Sequence, residues 1–155
     1  MSIQVRAAKR SDAPTIVEFN CLLASETEDL ALDRAVVECG VSRVLDDAAL
    51  GRYFVAEDGD RIVGQVMVTY EWSDWRDGLF WWIQSVYVLP EARRLGAFTT
   101  LHDTVTAAAR RAGAIGLRLY VYRSNALAQQ VYLRRGMKDA GYRVLEEVFA
   151  GHGLH

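Results

Sequence analysis

The segment PEARRLGAFTTLH, residues 90–102, decides how the rest of the chain is interpreted. It follows the apolar run IQSVYVLP and precedes an uninterrupted helix-forming stretch, so we predict a turn between a strand and a helix. A helix N-terminus presents backbone N–H groups and a partial positive charge, to which Arg93 and Arg94 add, and Gly96 lets a ligand approach the backbone closely. Taken alone, one glycine and two arginines fit a plain surface turn better than a phosphate site.

Two well-known phosphate-binding patterns are absent from this segment. No Lys-Ser/Thr pair follows Gly96, as a Walker A loop requires, and the spacing G-x-G-x-x-G of a Rossmann fingerprint does not occur. Any anion held here must therefore be bound by a different kind of loop.

Apolar periodicity predicts the elements on either side of the segment. The predicted strands are, in order, IQVRAA, GRYFVAED, GDRIVGQVMVTYEW, LFWWIQSVYVLP, IGLRLYVY and YRVLEEVF, with Asp58-Gly59 as a hairpin turn. The predicted helices are SDAPTIVEFNCLLA with Ser11 as N-cap, one or two helices in residues 25–50, the run from Phe98 to Ala112 stopped by Gly113, and SNALAQQVYLRRG. In residues 25–50 we expect an irregular start at SETED and a break near Gly40. The last helix has Ser124 or Asn125 as its cap and Gly136 as its stop. This order predicts a mixed α/β sheet with helices on both faces.

Length and composition predict one domain over residues 1–155. The chain is 51% apolar and 25% charged, typical of a globular protein, and it has no run of about 20 apolar residues that could span a bilayer. The segment MSIQVRAAKRSD lacks the apolar region of a signal peptide, so we expect a cytoplasmic protein with no membrane partner. Cys21 and Cys39 lack the spacing of a zinc site, so we interpret them as reduced, buried structural thiols and expect no metal.

The charges are distributed unevenly along the chain. Residues 1–89 carry fifteen acidic and eight basic side chains, whereas residues 90–138 carry two acidic and nine basic ones, within a net charge of −2. The small net charge disfavours a nucleic-acid partner, and the basic middle favours a bound anion. The acidic first part could face a cationic partner, or it could simply be an unequal solvated surface.

Residues 86–136 carry a family resemblance. They read V-Y-V-x-P-x-x-R-R-x-G-x-F, followed by a helix, a strand and YRSNALAQQVYLRRGM. This combination resembles the GNAT superfamily of N-acetyltransferases, and RAAKRSDAP, YFVAEDGDRIVGQV and GYRVLEEV extend the resemblance over nearly the whole chain. It implies a GNAT-like fold, with a central and mostly antiparallel sheet, and transfer of an acetyl group from acetyl-CoA to an amine.

The resemblance also implies where the coenzyme binds. The family loop reads Q/R-x-x-G-x-G/A, and Arg93, Gly96 and Phe98 take its defining places, with Phe98 departing from the small residue of the pattern. Because Phe98 is in helical phase with Leu101 and Val105, we expect its side chain to point into the core. The residues that would contact coenzyme A are Val86, Tyr87, Val88, Arg93, Arg94, Leu95, Gly96, Ala97, Phe98, Thr99 and Asn125. Among them, the backbone N–H groups of Val86, Tyr87 and Val88 would stabilise the oxyanion.

Tyr132 takes the place of the family's general acid, which returns a proton to the departing thiolate. A half-buried core tyrosine with a satisfied hydroxyl is the alternative interpretation. Asn125 would contact the pantetheine arm, cap its helix, or do both.

The general base is the least determined role. Glu71 is our first candidate and Glu28 the second. Glu26, Asp74 and Gln84 are further candidates, because the first helix pair and the third and fourth strands would flank the acceptor. A relay through ordered water would need no single base. Glu26, Trp72, Trp75 and Gln84 are the predicted substrate-binding residues. An aromatic cluster beside acids is typical of an ammonium pocket, which favours a small cationic amine, although core or interface packing would also explain tryptophans.

Two function classes remain open on the sequence. The first is an enzyme in which the amine attacks acetyl-CoA directly in a ternary complex. The second is a non-catalytic module on the same fold that binds or senses acyl-CoA or serves interactions. A homodimer through the Trp-rich hairpin or the C-terminal strand is compatible with either class.

Overall fold

The computed structural model describes residues 2–154, which contain one five-stranded mixed sheet and four α-helices. The strands are β1 (Ile3–Ala7), β2 (Arg52–Asp58), β3 (Arg61–Ser73), β4 (Gly78–Val88) and β5 (Gly116–Leu119). The helices are α1 (Ala13–Glu28), α2 (Arg34–Asp46), α3 (Ala97–Arg111) and α4 (Ala126–Arg134). The predicted fold class is confirmed.

The spatial order of the strands equals their order in the chain. Neighbouring strands from β1 to β4 are antiparallel, and β5 joins β4 in parallel after the crossover through α3. The predicted tight connection between β2 and β3 is present, with Gly59 at a φ of 62°. The sheet is therefore mostly antiparallel, as predicted.

Alternation along β2 builds two cores, one on each face of the sheet. Tyr53 and Val55 pack against Ile16, Val17 and Val41 of α1 and α2. On the opposite face, the neighbouring residues of β2 join β3, β4 and α3 in the larger core, whose fully buried members include Val66, Val68, Leu101 and Val105. Each face of the sheet thus buries the apolar side of its helices.

Helix α3 begins and ends as its sequence predicts. Gly113 has a φ of 77°, and Ala114 N–H bonds back to Ala109 O at 2.9 Å, which closes the helix in a left-handed turn. The predicted apolar stripe is correct at Leu101 and Val105 but not at Ala112, which is exposed at the C-cap.

The prediction was wrong in detail around the first two helices. Residue Asp12, not Ser11, precedes α1, and its buried carboxylate accepts hydrogen bonds from Arg6 and from Lys9 N–H. The segment SETED is not an irregular start, because α1 continues to Glu28 and ends where Asp29 takes a φ of 51°. Helix α2 runs through Gly40 without a break, since a glycine weakens a helix interior without ending it.

The C-terminal part of the chain also differs from the prediction. The strand predicted at IGLRLYVY is confined to Gly116–Leu119, and none of the five strands includes YRVLEEVF. Alternation alone does not make a strand, because its backbone groups need a neighbouring strand as hydrogen-bond partner.

Two compact units can be distinguished, Met1–Leu119 with the whole sheet and Tyr120–His155 with α4. The prediction of a single domain over 1–155 stays a prediction. Within residues 2–154, no helix combines the length and apolar character that crossing a bilayer requires.

Candidate active site

The last third of β4 carries an irregularity in its pairing with β3. Ile83 faces Val68 and Ser85 faces Met67, so Gln84 is an extra residue on β4, which is the arrangement of a β-bulge. The exposed Gln84 side chain donates a hydrogen bond to Thr69 Oγ1 at 2.9 Å. Bulges re-aim the residues that follow them, and here the following residues lead to the predicted coenzyme loop.

The pairing of β4 with β3 beyond the bulge determines where the N–H groups of Val86 and Val88 point. Leu89 N–H bonds to Val63 O at 2.8 Å, and Val88, Tyr87 and Val86 face Gly64, Gln65 and Val66 in turn. Because antiparallel pairs alternate between bonded and non-bonded positions, the N–H groups of Val86 and Val88 point away from β3. The ladder between β4 and β5 covers Phe80–Ile83 and Gly116–Leu119, so β5 gives these two N–H groups no ladder partner.

The loop after β4 starts α3 in a geometry suited to an anion. A 3-10 turn at Pro90–Ala92 leads to Gly96, which has a φ of 82° and no side-chain cap on the helix. The first helical hydrogen bond is donated by Thr100 N–H to Gly96 O at 3.0 Å, so the N–H groups of Ala97 and Thr99 precede the helical ladder. Ala97 is fully buried, and Arg94, Leu95 and Thr99 are exposed.

Phe98 does not fill the loop with its ring. The side chain is half-buried and packs against the larger core, with its ring 6.0 Å from that of His102 one turn later. The departure from the small residue of the family pattern is therefore accommodated on the helix side of the turn.

Arg93 makes its contacts within the protein. Its Nε donates to Val88 O at 3.0 Å and its Nη2 donates to Glu26 Oε1 at 2.9 Å. The other oxygen of Glu26 accepts a hydrogen bond from the hydroxyl of Tyr87, whose ring lies 5.3 Å from that of Phe19 on α1. The structure thus brings together Glu26, Tyr87 and Arg93. The sequence had predicted Glu26 as a substrate-binding residue and the other two as coenzyme contacts.

This contact network shifts two pKa values in opposite directions. Burial, followed by the hydrogen bond to Glu26, raises the pKa of Tyr87 to about 12. The same hydrogen bond, with help from Arg93, lowers the pKa of Glu26 despite its partial burial. Glu26 therefore remains an anion, which makes it a poor proton acceptor and a good partner for a guanidinium.

In the C-terminal unit, Asn125 and Tyr132 lie on or beside α4. Asn125 is the N-cap, and its Oδ1 accepts the N–H of Ala128 at 3.1 Å, so the capping role is present. Tyr132 is partly buried, and this burial raises the pKa of its hydroxyl to about 12. The helix closes as predicted at Gly136, which has a φ of 94°.

Comparison with known proteins agrees with this arrangement. The profile of the acetyltransferase (GNAT) family matches residues 19–137, which include the bulged strand, the loop and α4. The chain belongs to the GNAT acetyltransferase family. No curated protein matches the chain.

Solved structures resemble this GNAT chain over nearly its whole length. A possible acetyltransferase from Clostridium difficile 630 is 41% identical, with a TM-score of 0.89 over 96% of this chain and 99% of that one. An integron cassette protein from the Cole Harbour Salt Marsh metagenome is 25% identical, with a TM-score of 0.83 over 95% and 91%. An aminoglycoside N-acetyltransferase solved with CoA is 14% identical, with a TM-score of 0.80 over 96% and 95%, and this likeness concerns the fold alone.

The first candidate base of this GNAT chain lies far from the loop. Glu71 pairs with Phe80 across the hairpin. Phe80 lies six residues before Val86 on β4, a separation of roughly 20 Å along the strand. Its Oε1 also accepts hydrogen bonds from Trp82 Nε1 at 3.0 Å and from Arg118 Nη1 at 2.7 Å. The carboxylate is therefore engaged at the opposite end of β4 from the amides of Val86 and Val88.

The four tryptophans do not form one pocket. Trp81 lies in the larger core, edge-on to Tyr70 at 5.5 Å, and Trp82 donates to Glu71. Trp72 is 59% exposed and Trp75 is 88% exposed, at or beside the tip of the β3–β4 hairpin. The tip is farther from the loop than Glu71 is, so these two rings do not line the loop end of β4.

The remaining predicted residues are distributed over the surface. Glu28 is the exposed last residue of α1, and Asp74 lies in the exposed connection between β3 and β4. Both cysteines are free, but Cys39 is exposed, so its interpretation as a buried thiol was wrong. Within residues 2–154, no group of three or more His, Cys, Asp or Glu side chains is placed to hold a metal ion.

Two polar contacts within the sheet were not predicted from the sequence. Arg118 on β5 is the ion-pair partner of Glu71, and no pattern in IGLRLYVY indicates that pairing. Gln65 on β3 faces Tyr87 on β4 and is 0% exposed. Its Nε2 donates a hydrogen bond to Ser85 Oγ at 3.3 Å. A glutamine inside the apolar run RIVGQVMV was the available signal for a buried polar contact.

Proposed function

We propose that this chain is an acetyl-CoA dependent N-acetyltransferase that moves the acetyl group to a primary amine. The observation that carries the proposal is the run from the Val86 and Val88 amides into the uncapped start of α3 at Gly96. This run offers N–H groups for a thioester carbonyl and then, a few residues later, N–H groups for a pyrophosphate. Such a sequence of donors fits an acyl thioester of coenzyme A.

The proposed reaction is direct attack of the neutral amine on the thioester carbon. As the tetrahedral intermediate forms, the N–H groups of Val86 and Val88 stabilise its oxyanion. On collapse of the intermediate, the carbon–sulfur bond breaks and the attacking nitrogen gives its extra proton to the general base. The thiolate of coenzyme A takes the hydroxyl proton of Tyr132, which is then reprotonated from solvent. A tyrosine whose pKa is raised to about 12 stays protonated at neutral pH, so its hydroxyl still holds the proton when the sulfur leaves.

The acceptor is proposed as a small cationic amine, supported by the excess of acidic side chains in residues 1–89. Gln84 is the predicted acceptor residue with the best support, since it is exposed two residues before Val86. Glu28 is the proposed base in place of Glu71, because Glu71 lies roughly 20 Å from Val86 along the strand. The cytoplasmic location and the homodimer stay predictions.

The test is release of free thiol from acetyl-CoA over a panel of cationic, neutral and acidic amines, with Tyr132→Phe alongside the unchanged protein. Loss of a general acid lowers kcat by about 10²–10⁴-fold, which is the expected effect of the substitution. Turnover with neutral or acidic amines alone would contradict the cationic acceptor. Tight binding of coenzyme A without turnover on any amine would contradict the enzyme and support the binding module.

A further inference from the structure

The contacts of Glu26 join three separate elements of the sequence. Glu26 lies in the last turn of α1, Tyr87 near the end of β4, and Arg93 in the loop that leads to Gly96. One carboxylate oxygen accepts from Tyr87 and the other from Arg93, which is 67 residues away in sequence. Because both oxygens are used, the position of the carboxylate is fixed relative to both partners.

Arg93 in turn holds the backbone of the strand that ends at the loop. Its Nε donates to Val88 O, and the N–H of the same peptide group, that of Leu89, bonds to Val63 O on β3. This peptide is therefore held from both sides. Its position determines where β4 ends and where the loop to Gly96 begins.

The hydrogen bonds of Arg93 indicate a role different from the expected one, which was to add positive charge for a bound anion. Its Nε and Nη2 donors point to Val88 and Glu26, and its guanidinium carbon lies 5.8 Å from the centre of the Tyr87 ring. A guanidinium used in this way shapes the loop and supplies little charge to an external anion. Arg93 and Arg94 are both exposed, and because Arg93 is paired with Glu26, we expect Arg94 to contribute more to attracting a phosphate.

We propose that Glu26 is a positioning residue that fixes the coenzyme loop by holding Arg93 and Tyr87. The inference rests on the proposed function, because it assumes that this loop binds coenzyme A. Glu26 itself touches neither the coenzyme nor the acceptor in this account. It acts through Arg93, which sets the Val88–Leu89 peptide and the entry to α3.

A second ion pair at the same loop provides a matched comparison. Arg61 donates to Glu91 at 2.8 Å, and Glu91 is only two residues before Arg93. Arg61 and Glu91 are 63% and 54% exposed, against 49% and 37% for Arg93 and Glu26. Among the described residues, Glu91 accepts from Arg61 and from its own backbone N–H, and it has no buried hydroxyl partner such as Tyr87. This more exposed pair should therefore contribute less to the shape of the loop than the Glu26–Arg93 pair does.

The experiment is calorimetric titration of coenzyme A into the unchanged protein, Glu26→Gln and Glu91→Gln. Glu26→Gln keeps size and removes charge, and it should raise the Kd about three- to tenfold with binding stoichiometry unchanged. Glu91→Gln should stay within about twofold of the unchanged protein. A purely structural role of Glu26 would instead lower the melting temperature and the stoichiometry and leave the Kd of the folded fraction unchanged.

A double-mutant cycle with Arg93→Gln tests whether Glu26 acts through Arg93. If the two side chains work as one unit, Glu26→Gln should add less than about twofold to the Kd of Arg93→Gln. Tyr87→Phe, which leaves the Glu26–Arg93 pair in place, should have a smaller effect than Glu26→Gln. Additive effects of Glu26→Gln and Arg93→Gln would overturn the proposed route through Arg93.

The outcomes separate the inference from the proposed function. If the unchanged protein binds coenzyme A and Glu26→Gln binds it equally well, the inference fails and the proposed function stands. If the unchanged protein does not bind coenzyme A, the proposed function fails, and the inference fails with it.

Discussion

The two ends of β4 have similar components but different arrangements. At the loop end, Glu26 is held by Tyr87 and Arg93 beside backbone N–H groups that face away from β3. At the hairpin end, Glu71 is held by Trp82 and Arg118 beside exposed tryptophans. Each end has a carboxylate, an arginine and aromatic rings, yet the loop end alone continues into an uncapped helix N-terminus.

The difference shows that the types of side chain in a region are not enough to identify a binding site. The backbone N–H groups available beside them must be considered too. The acids and tryptophans near Glu71 suggested an ammonium pocket because they are close in sequence. An extended strand then carries them away from the loop by about 3.3 Å per residue. In contrast, Glu26 is distant in sequence and reaches the loop because α1 packs against β4.

The largest effect is expected from a change that disturbs the loop backbone itself. Gly96→Val forces a β-branched residue to a φ of 82°, and Gly113→Val does the same at 77° at the other end of α3. A Cβ at either position has open space, so the two substitutions should destabilise the fold similarly, by about 1–3 kcal/mol. Gly96→Val should also weaken coenzyme A binding about ten- to a hundredfold, because the amides at the start of the helix are displaced.

Gly113→Val serves as the control in the same calorimetric titration and the same thermal melts. It should leave the Kd for coenzyme A unchanged. Equal losses of affinity in the two variants would mean that the loop end has no special part in binding.

A smaller effect is expected in the pH dependence of stability. The folded-state pKa of Tyr87 is raised to about 12 from an ordinary value of 10.0, so the folded protein holds this proton more tightly than the unfolded chain. The resulting stability is fully present below pH 10 and is lost as the pH rises through 12. In denaturant unfolding at pH 9–11, Tyr87→Phe should therefore lose less stability with rising pH than the unchanged protein.

Tyr122→Phe is the matched control for this pH series, because Tyr122 is 54% exposed. Its unfolding curve should change with pH as that of the unchanged protein does. Identical pH dependence in Tyr87→Phe and the unchanged protein would contradict the buried hydrogen bond to Glu26.

The smallest effects are expected at the hairpin end. Glu71→Gln and Trp75→Ala should each change kcat and the Kd for coenzyme A by less than about threefold. Glu71→Gln should cost at most about 1 kcal/mol of stability, since its pair with Arg118 is partly exposed. A loss of kcat of about a hundredfold or more in Glu71→Gln would restore Glu71 as the general base.

Much of the fold was predictable from local patterns. The hairpin at Asp58-Gly59, the amphipathic run of α3 and the stops at Gly113 and Gly136 follow from turn chemistry and periodicity, which act over a few residues. The backbone features of the site were predictable through the family pattern around Gly96. Features that depend on distant contacts were not predictable in this way.

Two carboxylates and one segment show why the remaining features were missed. Glu26, in the last turn of α1, meets partners on β4 and in the loop, and no local propensity can indicate these contacts. The sequence around Glu71 does not indicate that Arg118, 47 residues away, lies beside it. The segment YRVLEEVF alternates like a strand, but pairing is a property of the whole sheet and not of the segment.

We expect coenzyme A to bind at the loop end of β4 and not at the hairpin end. Hydrogen–deuterium exchange of the backbone amides, with and without coenzyme A, compares both ends in one measurement. We predict slower exchange over residues 86–100 on addition of coenzyme A and no change over residues 70–80. Slower exchange over residues 70–80, with residues 86–100 unaffected, would contradict this prediction.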